Sequence, residues 1–211
     1  LNREIETITE NYSVFSINLP GHNFEENNPE FLDIEELSRM ITDEIKTKIK
    51  GKIVLYAHCV GSALAINVAN QLTKNNQQVE AVVIGGVYPP GITKYIAKYI
   101  SPWDLLSNRV ILSFLEIMGL PIKGIDNLFK NNLLKAFRFD AKGYFKYFGH
   151  KKVLNNNKLN IPLYCIVGDK DPLTVNYKRH YKRWLVFSHN VELIVLKNAN
   201  HYFIKTHAED I

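Results

Sequence analysis

Three residue types carry the chemistry in this sequence, a thiol, a carboxylate and an imidazole, and each falls just after an apolar run. The thiol is Cys59, in Ala57-His58-Cys59-Val60-Gly61. Small residues stand two before and two after it, between a β-branched stretch and a stretch opening Ser62-Ala63. Strand, tight turn and helix in that order hold a nucleophile out at a sheet's edge, and small flanking residues let the strained turn close. Ala57 stands where glycine is usual, a tolerable change expected to raise strain. At the start of a helix the dipole and nearby amides favour a thiolate, and the N–H of Val60 becomes a donor for an oxyanion. The bland alternative for a lone cysteine is a small buried apolar residue. Cys165, inside LYCIV, fits that alternative; the surroundings of Cys59 do not.

An orienting acid and a base should follow the nucleophile. Gly168-Asp169-Lys170-Asp171-Pro172 supplies two carboxylates at one strand end. Asp171 lies later in the loop, where an acid turns inward and Pro172 restricts the backbone; Asp169 is expected to cap the turn or face water. Asn198-Ala199-Asn200-His201-Tyr202-Phe203 follows the next apolar run, so His201 reaches back towards Cys59 as base and then acid. The chain has seven histidines. His150, His180, His189 and His207 sit in polar surroundings. His22, after Leu19-Pro20-Gly21, borders the site as a candidate lining residue. His58 is a candidate for the oxyanion or substrate region, although alternation along a strand points it away from Cys59.

The elements that must position these groups are legible as apolar segments at 12–18 (YSVFSIN), 52–58 (KIVLYAH), 80–85 (EAVVIG), 163–168 (LYCIVG) and 191–196 (VELIVL). Most are near-continuous apolar runs, the pattern of strands covered on both faces. Helical periodicity occupies 34–49, with Asp33 and Glu36 forming a capping box. Further helices are expected over 62–72 and about 175–187. Alternating strands and helices predict an α/β fold with a mostly parallel sheet and helices on both faces. Between the third and fourth strands, 92–150 is helical and aromatic, too long for an ordinary connection. It is expected to form a helical lid over the carboxyl ends of the strands, or a second small core, or both. The polar stretch 155–160 returns the chain to the sheet.

Composition narrows the function classes. The 211 residues, 46% hydrophobic and 22% charged, suit one domain, with core 1–91 and 151–211 around the 92–150 insertion. A net charge of +5 reads as mild and scattered, suited to an acidic protein or an anionic small molecule, and lacks the basic blocks of a nucleic-acid binder. No apolar run approaches the ~20 residues of a membrane helix. Two cysteines leave no room for a disulfide scaffold or a four-cysteine zinc site. Neither a metal nor a resident cofactor is called for, and a cytoplasmic, reducing setting is expected.

Taken together, Asn18-Leu19-Pro20-Gly21-His22, the 57–65 elbow, Gly168–Pro172 and Asn200-His201-Tyr202-Phe203 resemble the thioesterase branch of the α/β-hydrolases, namely the thioesterases of nonribosomal peptide and polyketide synthesis. Weaker similarity lies in 134–147, like the lid helix of stand-alone editing (type II) thioesterases, and in 181–184, like their tryptophan-bearing helix. The resemblance implies an α/β-hydrolase fold and a triad of Cys59, Asp171 and His201. It implies cleavage or transfer of an acyl or peptidyl group from the phosphopantetheine arm of an acyl or peptidyl carrier protein. An acid after the fourth strand, and none in Gly85-Gly86-Val87-Tyr88, is similar to the editing type. Cysteine in place of serine departs from that type, and an acyl-cysteine remains activated for transfer to an amine or alcohol as well as to water.

The family also has an earlier strand whose following loop supplies a second oxyanion donor. Leu1 corresponds to a position inside the helix after that loop, and nothing before Tyr12 reads as a strand. The resemblance therefore implies missing N-terminal strands, a longer parent polypeptide and Val60 as the lone donor. Loss of one donor costs about 2.7–4 kcal/mol of transition-state stabilisation. Competing expectations are a cysteine-dependent hydrolase of small esters or lactones, and a non-catalytic binding module with a vestigial triad.

Overall fold

A computed structural model describes residues 13–24, 29–89, 91, 101–149 and 158–211. Among these, four parallel strands lie in chain order: β1 (Ile53–His58), β2 (Val79–Gly85), β3 (Leu163–Gly168) and β4 (Val191–Leu196). Register aligns their carboxyl ends: His58 stands opposite Gly85, Gly85 opposite Ile166, and Gly168 opposite Leu196. Everything that follows a strand therefore emerges at one edge.

Helix α1 (Ile34–Lys48) starts at the expected capping box. Asp33 Oδ1 accepts from the Glu36 amide at 2.9 Å, and Glu36 Oε2 accepts from the Asp33 amide at 3.2 Å. It packs on α2 (Ser62–Lys74), and the buried Ser38 hydroxyl accepts from the side-chain amides of Asn67 and Gln71 at 2.9 and 3.0 Å. Helix α2 lies against the sheet with Ala63, Ile66 and Ala69 fully buried. Its small residues let it approach the strands closely enough to hold the elbow rigid.

Beyond β2 the described chain is helical, with α3 (Asn108–Ile117) and the long α4 (Asn127–Gly149). Two cores share the aromatics. Ile111, Leu115, Ile122 and Leu134 bury one another under Trp103, Phe114 and Phe137. Tyr144, Tyr147 and Phe148, at the far end of α4, enter the main core with Trp184 and Phe187. The aromatics thus fill a second small core between α3 and α4 and also reach the main core. Tyr95, Tyr99 and His150, like the 155–157 part of the polar return, lie outside the described residues.

Two expected elements differ. Segment 12–18 was expected to be a strand, yet 13–18 join none and are all exposed, with Phe15 at 66%; Tyr12 lies outside the described residues. A strand exists only through its ladder partners, and β1 is bordered by β2 alone. The helix expected over 175–187 is instead a short α5 (Tyr177–His180) running into a 3₁₀ stretch, Tyr181–Val186. Asn176, left-handed at φ 62°, sets its start. The tighter turn still turns Trp184 wholly inward. No described helix is long and apolar enough to cross a membrane.

Candidate active site

The turn after β1 sets the candidate nucleophile, Cys59. Among the described residues four non-glycines have positive φ: Cys59, Asn76, Asn176 and Asn198. Asparagine tolerates that region because its short amide bonds locally; cysteine has no such compensation. At φ 53°, Cys59 carries strain of order 1–3 kcal/mol, a kind that clusters at functional sites. Residues Cys59–Gly61 form one 3₁₀ turn leading directly into α2, so the Val60 N–H lies where helical amides lack an internal acceptor. A Cβ at position 61 would stand 3.7 Å from the Ala57 Cβ, an ordinary contact, so the two small residues that flank the turn lie beside each other. Cys59 is partly exposed, whereas Cys165 is fully buried and its thiol is pushed up to about 12, chiefly by burial.

The loops after β3 and β4 are clamped together. The Asp169 amide donates to Leu196 O and the Lys170 amide to Ala199 O, both at 3.0 Å. Gly168 allows it: a Cβ there would stand 2.1 Å from the Ala199 carbonyl oxygen. The clamp delivers Asp171 and His201 to each other, with Asp171 Oδ2 3.0 Å from His201 Nδ1. Oδ1 accepts the Leu173 amide at 2.9 Å, so both carboxylate oxygens are engaged. Asp171 is 2% exposed and His201 3%, whereas Asp169 is exposed. With an ionised acid as acceptor, the proton of His201 sits on Nδ1, leaving Nε2 for the thiol.

Burial lowers the pKa of His201. The hydrogen bond to Asp171, then the hydrogen bond and charge of Cys59, then the charge of Asp171 outweigh it and raise His201 to about 9. Cys59, His201 and Asp171 thus form one interacting set.

His58 lies behind the base. Its ring meets that of His201 at 4.9 Å, edge to face, and is flanked by Tyr202 and Phe203. Tyr56 Oη is 3.2 Å from its Nδ1. Burial, and then the charge of His201, depress it to about 4, so at neutral pH it is an uncharged wedge. Two glycines make room for this pair. A Cβ on Gly85 would stand 2.8 Å from His58 Nδ1, and one on Gly86 would stand 2.9 Å from His201 Cε1 and 3.0 Å from His58 Nε2. Sequence reasoning noted that 85–88 lacks a carboxylate and missed this use. A glycine pair ending a strand was the available signal.

His22 is held against α4. Its Nδ1 is 3.0 Å from Pro20 O, and its Nε2 is 2.9 Å from Asp140 Oδ2 on α4. The Asp140 hydrogen bond raises its pKa against burial. With Phe31 stacked on Phe139 at 5.0 Å, it ties the 20–31 loop to α4. Tyr144 was also missed. It is buried on α4, donates to the Tyr88 carbonyl and is raised by burial and then by the charge of Cys59. Nothing in its spacing separates it from a core aromatic. No described group of three or more His, Cys, Asp or Glu is arranged to hold a metal.

A parallel sheet with a strained nucleophile turn after one strand, an acid after another and a histidine after the next defines a hydrolase of the elbow class. The chain belongs to the alpha/beta hydrolase family, whose sequence profile matches residues 5–211. No curated protein sequence matches it. Solved structures match at low identity. The RedJ thioesterase from the prodiginine biosynthetic pathway of Streptomyces coelicolor superposes with a TM-score of 0.74 at 17% identity, over 95% of this chain and 76% of its own. ClbQ, from the colibactin NRPS/PKS pathway, gives 0.71 at 16%, over 99% and 85%. BorB, a type II thioesterase from the borrelidin cluster, gives 0.53 at 17%, over 84% and 67%. At such identities the likeness establishes the fold.

Proposed function

We propose that this hydrolase is a thioesterase that takes an acyl or peptidyl group from the phosphopantetheine arm of a carrier protein through an acyl-cysteine. The observation that carries the reading is the half-open, strained Cys59 beside a histidine raised to about 9 by Asp171 and by Cys59 itself. The structural neighbours RedJ and BorB are thioesterases, which supports it further.

In the resting site His201 already holds the shared proton as an imidazolium, so Cys59 Sγ attacks the thioester carbonyl carbon without a further proton transfer, and the Val60 N–H stabilises the oxyanion. The intermediate collapses, the bond from carbon to the pantetheine sulfur breaks, and His201 gives its proton to that sulfur. Water then gives a proton to His201 as it attacks the acyl-cysteine, and Sγ departs as the thiolate as the acid leaves. Asp171 holds the imidazole in the required tautomer throughout. Helix α4, which packs on the Cys59–Gly61 turn, acts as one wall of the acyl pocket within a 92–150 lid.

The test is intact mass spectrometry after incubation with an acyl-pantetheine thioester. The wild-type protein should gain the acyl mass and Cys59→Ala should gain none. An adduct of equal yield on the variant refutes the assignment.

A further inference from the structure

The sequence presents its positive charge as scattered, yet four of the 26 Lys and Arg residues fall together on one outward stripe. Between Lys170 and Asn190 there are five Lys and Arg residues and one carboxylate, Asp171, which is buried against His201. Four of these cations, Lys178, Arg179, Lys182 and Arg183, lie on α5 and the 3₁₀ stretch after it, and all are exposed. Tyr177, Tyr181 and Trp184 take the inward side against the main core, which leaves the cations on one outward stripe. None of the four pairs with a carboxylate among the described residues. Lys46, Lys48 and Lys52 each face an acid, whereas Lys123, Lys130, Lys135 and Lys142, like the four, have no ion pair among the described residues; what sets the four apart is their clustering on one short stretch.

The stripe adjoins the site. Leu173 and Val175, 38% and 60% exposed, lie between it and Asp171, and the Leu173 amide is bonded to the Asp171 carboxylate. Tyr88, just past the glycine pair of β2, donates its hydroxyl to Thr174 O at 3.3 Å and meets the His180 ring at 5.9 Å. The side chain of Arg183 lies against Gly91, where a Cβ would be 3.2 Å from Nη1.

We infer that this stripe, with Leu173 and Val175 as its apolar rim, is the docking surface for an acidic protein that presents its cargo to Cys59. Unpaired cations next to exposed apolar side chains match the charge complementarity and mixed polarity of a protein partner. A nucleic-acid backbone would make no use of Leu173 and Val175. The identity of the cargo rests on the thioesterase reading; the charge of the partner does not.

The experiment therefore has two arms. In the first, binding of an acidic holo carrier protein, bearing the phosphopantetheine arm without an acyl group, is followed by fluorescence anisotropy against ionic strength. K178E/K182E and R179E/R183E should weaken binding about tenfold or more, and the wild-type affinity should fall as salt rises. In the second, turnover of carrier-bound butyryl thioester should drop in kcat/KM by a similar factor, while butyryl-pantetheine turnover is unchanged. Far-ultraviolet circular dichroism checks that both variants fold. Unaltered binding in the variants overturns the docking surface, as does equal displacement of the carrier by a single-stranded oligonucleotide. Salt-sensitive binding that the variants lose, with neither thioester turned over, retains the surface and rejects the thioesterase reading.

Discussion

Asp171→Asn isolates the group that holds His201 charged. His201 is raised from 6.5 to about 9, and at 1.36 kcal/mol per pKa unit this favours the imidazolium by about 3 kcal/mol. The Asp171 hydrogen bond at 3.0 Å is the largest contribution in that direction. With the carboxylate removed, burial opposes Cys59 alone, and His201 should fall to 6.5 or below. Two consequences follow. Acylation needs the imidazolium to protonate the departing sulfur, so wild-type kcat/KM for an acyl-pantetheine should decline only above about pH 9. In the variant that decline should begin below pH 7, with turnover at pH 8 reduced about 10²-fold or more. Stability changes in a defined direction as well. A histidine whose folded pKa is raised stabilises the fold fully below its unfolded value of 6.5, and that contribution is lost as pH rises towards 9. Urea unfolding of the wild type should show this loss between pH 6.5 and 9, and the variant should not. Asp169→Asn, altering an exposed carboxylate, should change neither profile. An alkaline limb that stays in place in Asp171→Asn, or moves in Asp169→Asn, would refute the assignment of the acid.

Gly86 and the second histidine give further tests. Gly86→Ala should displace His201, because φ is +66° and the new Cβ would stand 2.9 Å from Cε1; more than tenfold loss of acylation is expected, with about 1–3 kcal/mol of destabilisation in urea. His58 titrates in the opposite sense. Its folded pKa of about 4 lies below its unfolded 6.5, so stability should fall by about 3 kcal/mol as pH drops from 6.5 to 4. His58→Phe should lack that acid-side loss, and an unchanged pH dependence of unfolding would show that the ring is not held neutral.

What sequence could and could not reveal divides along a physical line. Strands β3 and β4 were legible to the residue because continuous apolar runs between polar loops have few other homes in an α/β fold. The pairing of Asp171 with His201 was legible because both follow strands, and parallel strands place their ends together. Segment 12–18 misled because its pattern reports what it would bury, not whether a ladder partner exists. The seat of His201 was hidden for a related reason. Gly85 and Gly86 act through the Cβ atoms they lack, and only the fold shows that two imidazoles occupy that space. The stripe at 178–183 was hidden differently: its four cations look scattered when counted, and they converge only once Tyr177, Tyr181 and Trp184 turn inward. Where chemistry depends on a residue's position after a strand, sequence suffices. Where it depends on what two loops leave vacant, or on which side of a short helix faces water, the site must be built before it can be read.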